Sequence, residues 1–265
     1  PRRTCCRRRS RKPSANTSAQ AKELAEVAEA NGTWGMVGFM KRFAHVYRMA
    51  KEITGRPAFG RLHQVKCKFA QGPYPKIWGI DSAKRSMLIG QLCHIFDLIR
   101  FFGGNVTRVH AVYHEATATQ FAYMVHVEFA SGAVGQLDLN GLECKTGFRD
   151  IVEILQLIGL ETNVVCEGMM KLKWQDREDF TTAVPEAGRY IHEFDPTWTG
   201  IRRTNITFGY KGEVEHFAKR CLGLVQGGPD LWDSYEALRI GEAVYESSHN
   251  DGKWVTILPR HTESQ

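Results

Sequence analysis

Apolar and polar positions along the chain fall into two textures, helical spacing before residue 104 and strand-like alternation after it. Thr17 or Ser18 can cap a helix over residues 19–30, with Leu24, Val27 and Ala28 on one face and Asn31-Gly32 at its end. A short apolar strand is predicted over 34–39. A second helix follows over 42–54, carrying Phe43, Val46, Tyr47, Ala50 and Ile53 at helical spacing. Residues 61–69 alternate as a half-buried strand does, 71–80 read as a loop, and Asp81 is placed to cap the helix that follows. That helix reads as continuous and apolar over 86–104. Strands are predicted over 106–114, 121–129, 133–139, 151–160 and 164–167, divided by turns such as Ser131-Gly132 and Asn140-Gly141. Helices return over 212–224 and 230–248, the second headed by Pro229-Asp230, before a last strand over 254–258. Consecutive strands after helix–strand units predict an α+β fold: a large open sheet, mostly antiparallel or mixed, with helices packed on one face.

Charge changes the picture only once it is located. The net charge is +6, but seven of the 35 basic residues lie in the first twelve positions, leaving 28 against 29 acidic residues from residue 13 onward. The basic segment 1–12 reads as an unstructured remnant, and nucleic-acid binding would rest on it alone. Seven scattered cysteines show neither CxxC nor paired Cys/His spacing, which indicates no zinc site or disulfide framework and fits a reducing cytoplasm. No apolar run approaches the roughly 20 residues a membrane helix needs.

The most distinctive chemistry lies in the apolar helix. His94 and Asp97 are three residues apart, nearly on one face. An imidazole beside a carboxylate can serve proton transfer, the acid orienting the ring. The same spacing also suits a core histidine whose ring nitrogens are satisfied locally. Neither a GxGxxG after a strand, a Walker-type loop nor a GxSxG elbow occurs.

Taken in order, several segments resemble the C-terminal part of Gfo/Idh/MocA-type oxidoreductases. They are Lys12-Pro13 before the first helix, the stretch Val37 to Phe43, Phe59 to Val65, the His94-Ile95-Phe96-Asp97 helix ending in Gly103-Gly104, Phe129 to Gly135, Tyr210 to Phe217, Ile240 to Val244 and Gly252 to Val255. The resemblance runs from about residue 12 to 258. It implies three parts: a basic remnant (1–12), the residual end of a nucleotide-binding domain (13–40), and a substrate-binding and oligomerisation domain (41–265). The Rossmann half of such an enzyme is expected before Pro13, outside this sequence.

The resemblance further implies NAD or NADP as cofactor, a sugar or cyclitol substrate, and a homo-oligomer formed through the sheet face. His94 would be the base and Lys12 the stabiliser of the alkoxide, with Lys12 and Pro13 beside the cofactor. Asp97 would orient the imidazole, and Arg42, Trp78, Asp81 and Tyr210 are candidate sugar contacts. Each of these four also has an ordinary reading: a surface charge, core packing, a helix cap and a helix-start residue. Two departures from the family pattern stand out, Arg11 in place of the glutamate before the lysine and Gly90 in place of an aspartate ahead of His94. Three functions therefore remain open: a sugar or cyclitol dehydrogenase portion inactive without its nucleotide half, an NAD-using glycoside-cleaving relative, and a non-catalytic oligomerising partner or truncated product.

Overall fold

The computed structural model describes residues 8–10, 13–143, 152–175, 192–196 and 204–260. Its elements in chain order are β1 (Arg8–Ser10), α1 (Ser18–Ala30), β2 (Gly35–Val37), a 3-10 turn (Met40–Phe43), α2 (His45–Thr54), β3 (Gln64–Ala70), α3 (Ala83–Gly90) and α4 (Cys93–Gly103). They continue with β4 (Val106–Thr117), β5 (Gln120–Phe129), β6 (Val134–Asn140), β7 (Val152–Ile158), β8 (Asn163–Glu167), β9 (Lys171–Gln175) and β10 (His192–Phe194). The last are α5 (Thr204–Thr207), α6 (Tyr210–Cys221), α7 (Leu231–Ser248) and β11 (Val255–Thr256).

Nine strands form one open sheet in the order β10-β9-β8-β7-β3-β6-β5-β4-β11. Every neighbouring pair is antiparallel except β3 with β6, so the sheet is mixed as expected. Alternation sorts its two faces. Phe121, Tyr123, Val125, Val127 and Phe129 of β5 are buried, together with Leu137 and Leu139, Leu155 and Leu157, and Val65, Cys67 and Phe69 on neighbouring strands. Each large apolar side chain so buried contributes about 1.5–3 kcal/mol relative to exposure. Helices α2, α4 and α7 cover this face. Positions of opposite parity, including Lys66, Met124, Gln136 and Ile154, remain on the open side.

Helix α4 lies deepest. Every residue from Cys93 to Ile99 is buried, so it has no solvent face and belongs to the centre of the molecule. Its Gly103-Gly104 ending has a packing cause. A Cβ at Gly103 would stand 2.6 Å from the Phe129 ring, and Gly104 takes φ +84°, which a side chain resists.

Several details differ from the sequence expectations. Arg8–Ser10, within the segment read as unstructured, pair in parallel with Gly35–Val37. The single helix over 86–104 is two helices broken at Gln91-Leu92, and the helix over 42–54 opens as a separate 3-10 turn. Strands β9 and β10 were not anticipated. The capping residue of α3 is Ser82, whose hydroxyl accepts from the Arg85 amide at 3.2 Å; Asp81 instead pairs with Lys76 in solvent. At the head of α7, where Pro229-Asp230 was read as the start, Asp230 and Asp233 exchange side-chain and backbone bonds as a capping box.

The Ser82 cap yields a comparison within one turn of chain. Ser82→Ala should lower stability by about 1 kcal/mol in thermal or denaturant unfolding, whereas Asp81→Ala should leave the unfolding midpoint unchanged. Equal effects would show that the cap is shared.

Candidate active site

The 3-10 turn Met40–Phe43 organises the region around His94. Its two basic side chains leave in opposite directions. Arg42 forks onto Asp97 of α4, its Nε donating to Oδ2 at 2.9 Å and its terminal nitrogen to Oδ1. The same terminal nitrogen lies 2.9 Å from Asp233 Oδ1 of α7, which also receives Arg100 at 3.2 Å. Lys41, 2% exposed, instead reaches under the sheet to Glu153, which Tyr47 also contacts through its hydroxyl. Burial, with the Glu153 charge beside it, holds the Tyr47 hydroxyl far above its usual range, so Tyr47 is a donor and not a titrating group here.

Asp97 is a charge in the dry centre of the molecule, and its environment pulls it two ways. Burial pushes its carboxyl from 3.8 up to about 6, against the opposing pull of Arg42. Asp233 is also raised by burial, but Arg42 and Arg100 outweigh this and hold it below the usual carboxylate range. Arg42 loses by burial and gains more from the two carboxylates, so it stays firmly charged.

His94 sits in the first turn of α4, 2% exposed, with its ring edge-on to Phe39 at 5.8 Å between centroids. Phe39 is the residue that leads into the 3-10 turn, so the imidazole and the Arg42 clamp share one corner. Asp97 follows His94 on the same helix, but both its oxygens accept from Arg42. Of the sequence candidates the structure thus brings Arg42, Asp97 and His94 together.

Trp78 precedes α3, the helix that leads into α4. It lies in the loop over α3 with φ +54°, a conformation that costs a bulky residue roughly 1–2 kcal/mol. Its carbonyl accepts from Asn16 Nδ2 at 3.1 Å, and the neighbouring Ile77 amide donates to the buried Ser86 hydroxyl at 3.2 Å. The benzo edge of its indole rests on Gly90, where a Cβ would come within 2.0 Å of Cζ3. Pro13 is half-buried near this loop; the hydroxyl of the next residue, Ser14, meets that of Ser234 at 2.7 Å. Lys12 lies outside the described residues.

The remaining candidates stand apart. Asp81 is exposed and held by Lys76, which keeps its carboxyl below the usual range through that hydrogen bond and charge. Tyr210 opens α6 and is 43% exposed, its hydroxyl raised by burial and by Glu213. The preceding Gly209 fits against Met40, so Tyr210 is pinned beside the 3-10 turn. Sequence reasoning did not single out Asp233, Arg100, Lys41 or Glu153. For Glu153 a signal existed: it shares strand parity with the inward-facing Leu155 and Leu157. Among the described residues no group of three or more His, Cys, Asp or Glu could hold a metal ion, and no helix is long and apolar enough to cross a membrane.

Asp97 carries a pH signature of definite sign. Its native pKa is raised, so between 3.8 and about 6 the folded state binds more proton than the unfolded one, and its contribution to stability falls as pH rises through that window. Asp233 has the opposite sign and acts below 3.8. Chemical denaturation across the upper window should show that Asp97→Asn flattens the pH dependence relative to wild type. An unchanged slope would mean that Asp97 ionises as an ordinary carboxylate.

Residues 47–154 match the family model described as the GFO/IDH/MocA C-terminal domain. No match was found among curated proteins. A dehydrogenase from Chromobacterium violaceum superposes with a TM-score of 0.81 at 20% identity, covering 92% of this chain and 70% of that one. Levoglucosan dehydrogenase in complex with NADH and levoglucosan gives 0.76 at 21% identity, over 95% of this chain and 73% of the other. GenD2 from gentamicin A biosynthesis, in complex with NAD, gives 0.69 at 23%, over 95% and 71%. At these identities the likeness is one of fold. The likeness to the GFO/IDH/MocA C-terminal domain thus holds over residues 47–154, within a fold shared with these dehydrogenases.

Proposed function

We propose that this chain supplies the substrate side of an NAD(P)-dependent oxidoreductase acting on a secondary alcohol of a sugar or cyclitol. The observation that carries the proposal is His94: an imidazole at the buried start of α4, braced by Phe39, on a helix fixed in place by the Arg42–Asp97–Asp233 clamp. Two of the structures with this fold, levoglucosan dehydrogenase and GenD2, carry NADH or NAD, and the first also carries a sugar.

The chemistry assigned to this chain is proton transfer. Oxidising a carbinol requires a base for the hydroxyl proton and a cation beside the developing alkoxide. His94 takes the proton. Lys12, beside Pro13, is the proposed stabiliser. Arg42 and Asp97 serve by holding α4, since each already satisfies the other; Trp78 and Tyr210 border the sugar, and Asp81 stays at its rim. The described residues contain no glycine-rich turn between strand and helix that would cradle a pyrophosphate. They do not by themselves fit a dinucleotide, and NAD(P) enters the proposal only through the fold's relatives.

The test is turnover by this chain joined to a nucleotide-binding domain, with NAD+ or NADP+ and a panel of cyclitols and sugars, followed by the absorbance of the reduced nicotinamide. His94→Asn should lower kcat by about 10²–10⁴-fold with the melting temperature little changed. A variant as fast as wild type would remove His94 from the chemistry.

The open face of the sheet is the proposed contact with a second copy. Val112, Met124, Val134 and Ile154 are each 41–49% exposed on it, and Met124 lies directly across from Val112 on the neighbouring strand. Sedimentation should show dimers or tetramers for wild type and a shift toward monomer for Met124→Glu with Ile154→Glu. A wild-type monomer would sink the interface.

A further inference from the structure

We infer that the cleft between α2, the end of α4 and α6 is an anion site, built to hold the phosphate group of a small phosphorylated molecule. It does not depend on the redox chemistry proposed above. Phe101 on its wall and His94 are two turns of α4 apart, about 10 Å along the helix.

The cleft encloses about 500 Å³, within the range of small-ligand sites. Its Phe101 ring carries two cations. The Lys51 ammonium lies 4.7 Å from the ring centroid and the Arg42 guanidinium carbon 5.5 Å. Neither is a loose surface charge. Lys51 Nζ donates to the Phe101 carbonyl in the last turn of α4 at 2.6 Å and lies 5.5 Å from the Phe102 ring as well. An ammonium has three donors, so two remain. Arg42 is fixed by its clamp, with Nε and Nη2 committed to Asp97 and Asp233. Its Nη1 meets no acceptor among the described residues, although the side chain is only 15% exposed. Two immobilised cations with donors to spare therefore share one ring.

They also repel each other. Partial burial, and then the Arg42 charge, bring the Lys51 ammonium below the usual lysine range. The carboxylates that hold Arg42 thus leave its field in the cleft positive, and nothing else there cancels it. Among the described residues Arg48, Lys51 and Lys219 on the cleft walls have no ion-pair partner. Of the two acids beside them, Glu215 is drawn to Lys211 at 3.5 Å, which leaves Glu52 against all these cations. A phosphate dianion with three acceptor oxygens matches such a wall. It takes charge-assisted bonds from Lys51 and Arg42, while Arg48 of α2 and Lys219 of α6 supply charge from either side. A carboxylate meets only part of that charge, and a neutral sugar none. Because the same guanidinium holds Asp97 and Asp233, occupancy adds a partner to the clamp and stabilises the placement of α4.

Calorimetric titration of this chain with inorganic phosphate, glucose 6-phosphate and AMP at constant ionic strength tests the site, with glucose and adenosine as uncharged controls. The phosphate-bearing probes should bind and raise the melting temperature, and the uncharged ones should do neither. Lys51→Gln should weaken binding by about tenfold, and Lys51→Arg should restore most of the loss. Lys51 also caps α4, so Arg48→Gln combined with Lys219→Gln serves as a second variant, neither side chain making a described contact. That pair should weaken binding by about three- to tenfold. Lys66→Gln, on the open face of the sheet, should leave Kd within about twofold. Equal affinity for the three phosphates assigns the site to free phosphate, and a preference of about tenfold or more for an ester assigns it to a phosphorylated metabolite. Either result supports the anion site. It is overturned if no phosphate binds at about 10 mM, if the double variant leaves Kd unchanged, or if Lys66→Gln costs as much as Lys51→Gln.

Discussion

The guanidinium of Arg42 is the group around which this corner of the molecule is arranged. Helix α4 is buried from Cys93 to Ile99, so Asp97 could not remain ionised there without a cation directly against it. Arg42 meets both of its oxygens and reaches on to Asp233, itself committed to the capping box of α7 and shared with Arg100. One planar fork therefore joins the 3-10 turn, the central helix and the start of the last long helix. Such a pair adds little over a well-packed apolar core, but removing one partner strands the other and costs about 3–5 kcal/mol. Its contribution is to register: α4 can neither slide nor rotate while the fork holds.

The neighbouring residue drives the second nail from the same turn. Lys41 passes beneath the sheet to Glu153 at the start of β7, where Tyr47 of α2 adds a hydroxyl and the Met169 sulfur lies 3.6 Å from the ammonium. Two adjacent cations pointing opposite ways thus stitch the helical layer to the sheet through four residues of chain. The turn's flanks inherit that rigidity. Phe39 leads into it and supports His94, while Gly209 packs on the Met40 carbonyl and sets where Tyr210 begins α6. The positions of three separate candidates follow from one short segment.

Most of the sheet was legible because strand periodicity is a local signal. Residues 121–129 alternate so strictly that burial could be read directly, and the structure extends that strand by one residue. β9 was missed for the converse reason. Lys171–Gln175 buries only Leu172, so its pattern carries one inward apolar position and no alternation to detect. The break at Gln91-Leu92 was invisible because apolar residues continue on both sides of it. Where α3 ends, Gly90 packs against a tryptophan twelve positions earlier, a contact that no helical pattern encodes. The Ser82 cap shows a finer limit: two adjacent residues were both competent caps, and only the backbone direction entering α3 decides between them.

The pairing of Asp97 shows why a correct motif can carry a different role from the one its spacing suggests. Three residues along a helix put a carboxylate near an imidazole, and in water that proximity would count. In a dry interior the stronger claim belongs to a partner that is always charged and can meet both oxygens at once, and Arg42 is that partner from 55 residues away. A histidine in the same place would offer one donor and a charge that depends on pH. The helix therefore divides its two polar residues between two tasks. Asp97 fixes where α4 lies, and His94, one turn earlier, packs against the edge of Phe39 instead of against the carboxylate.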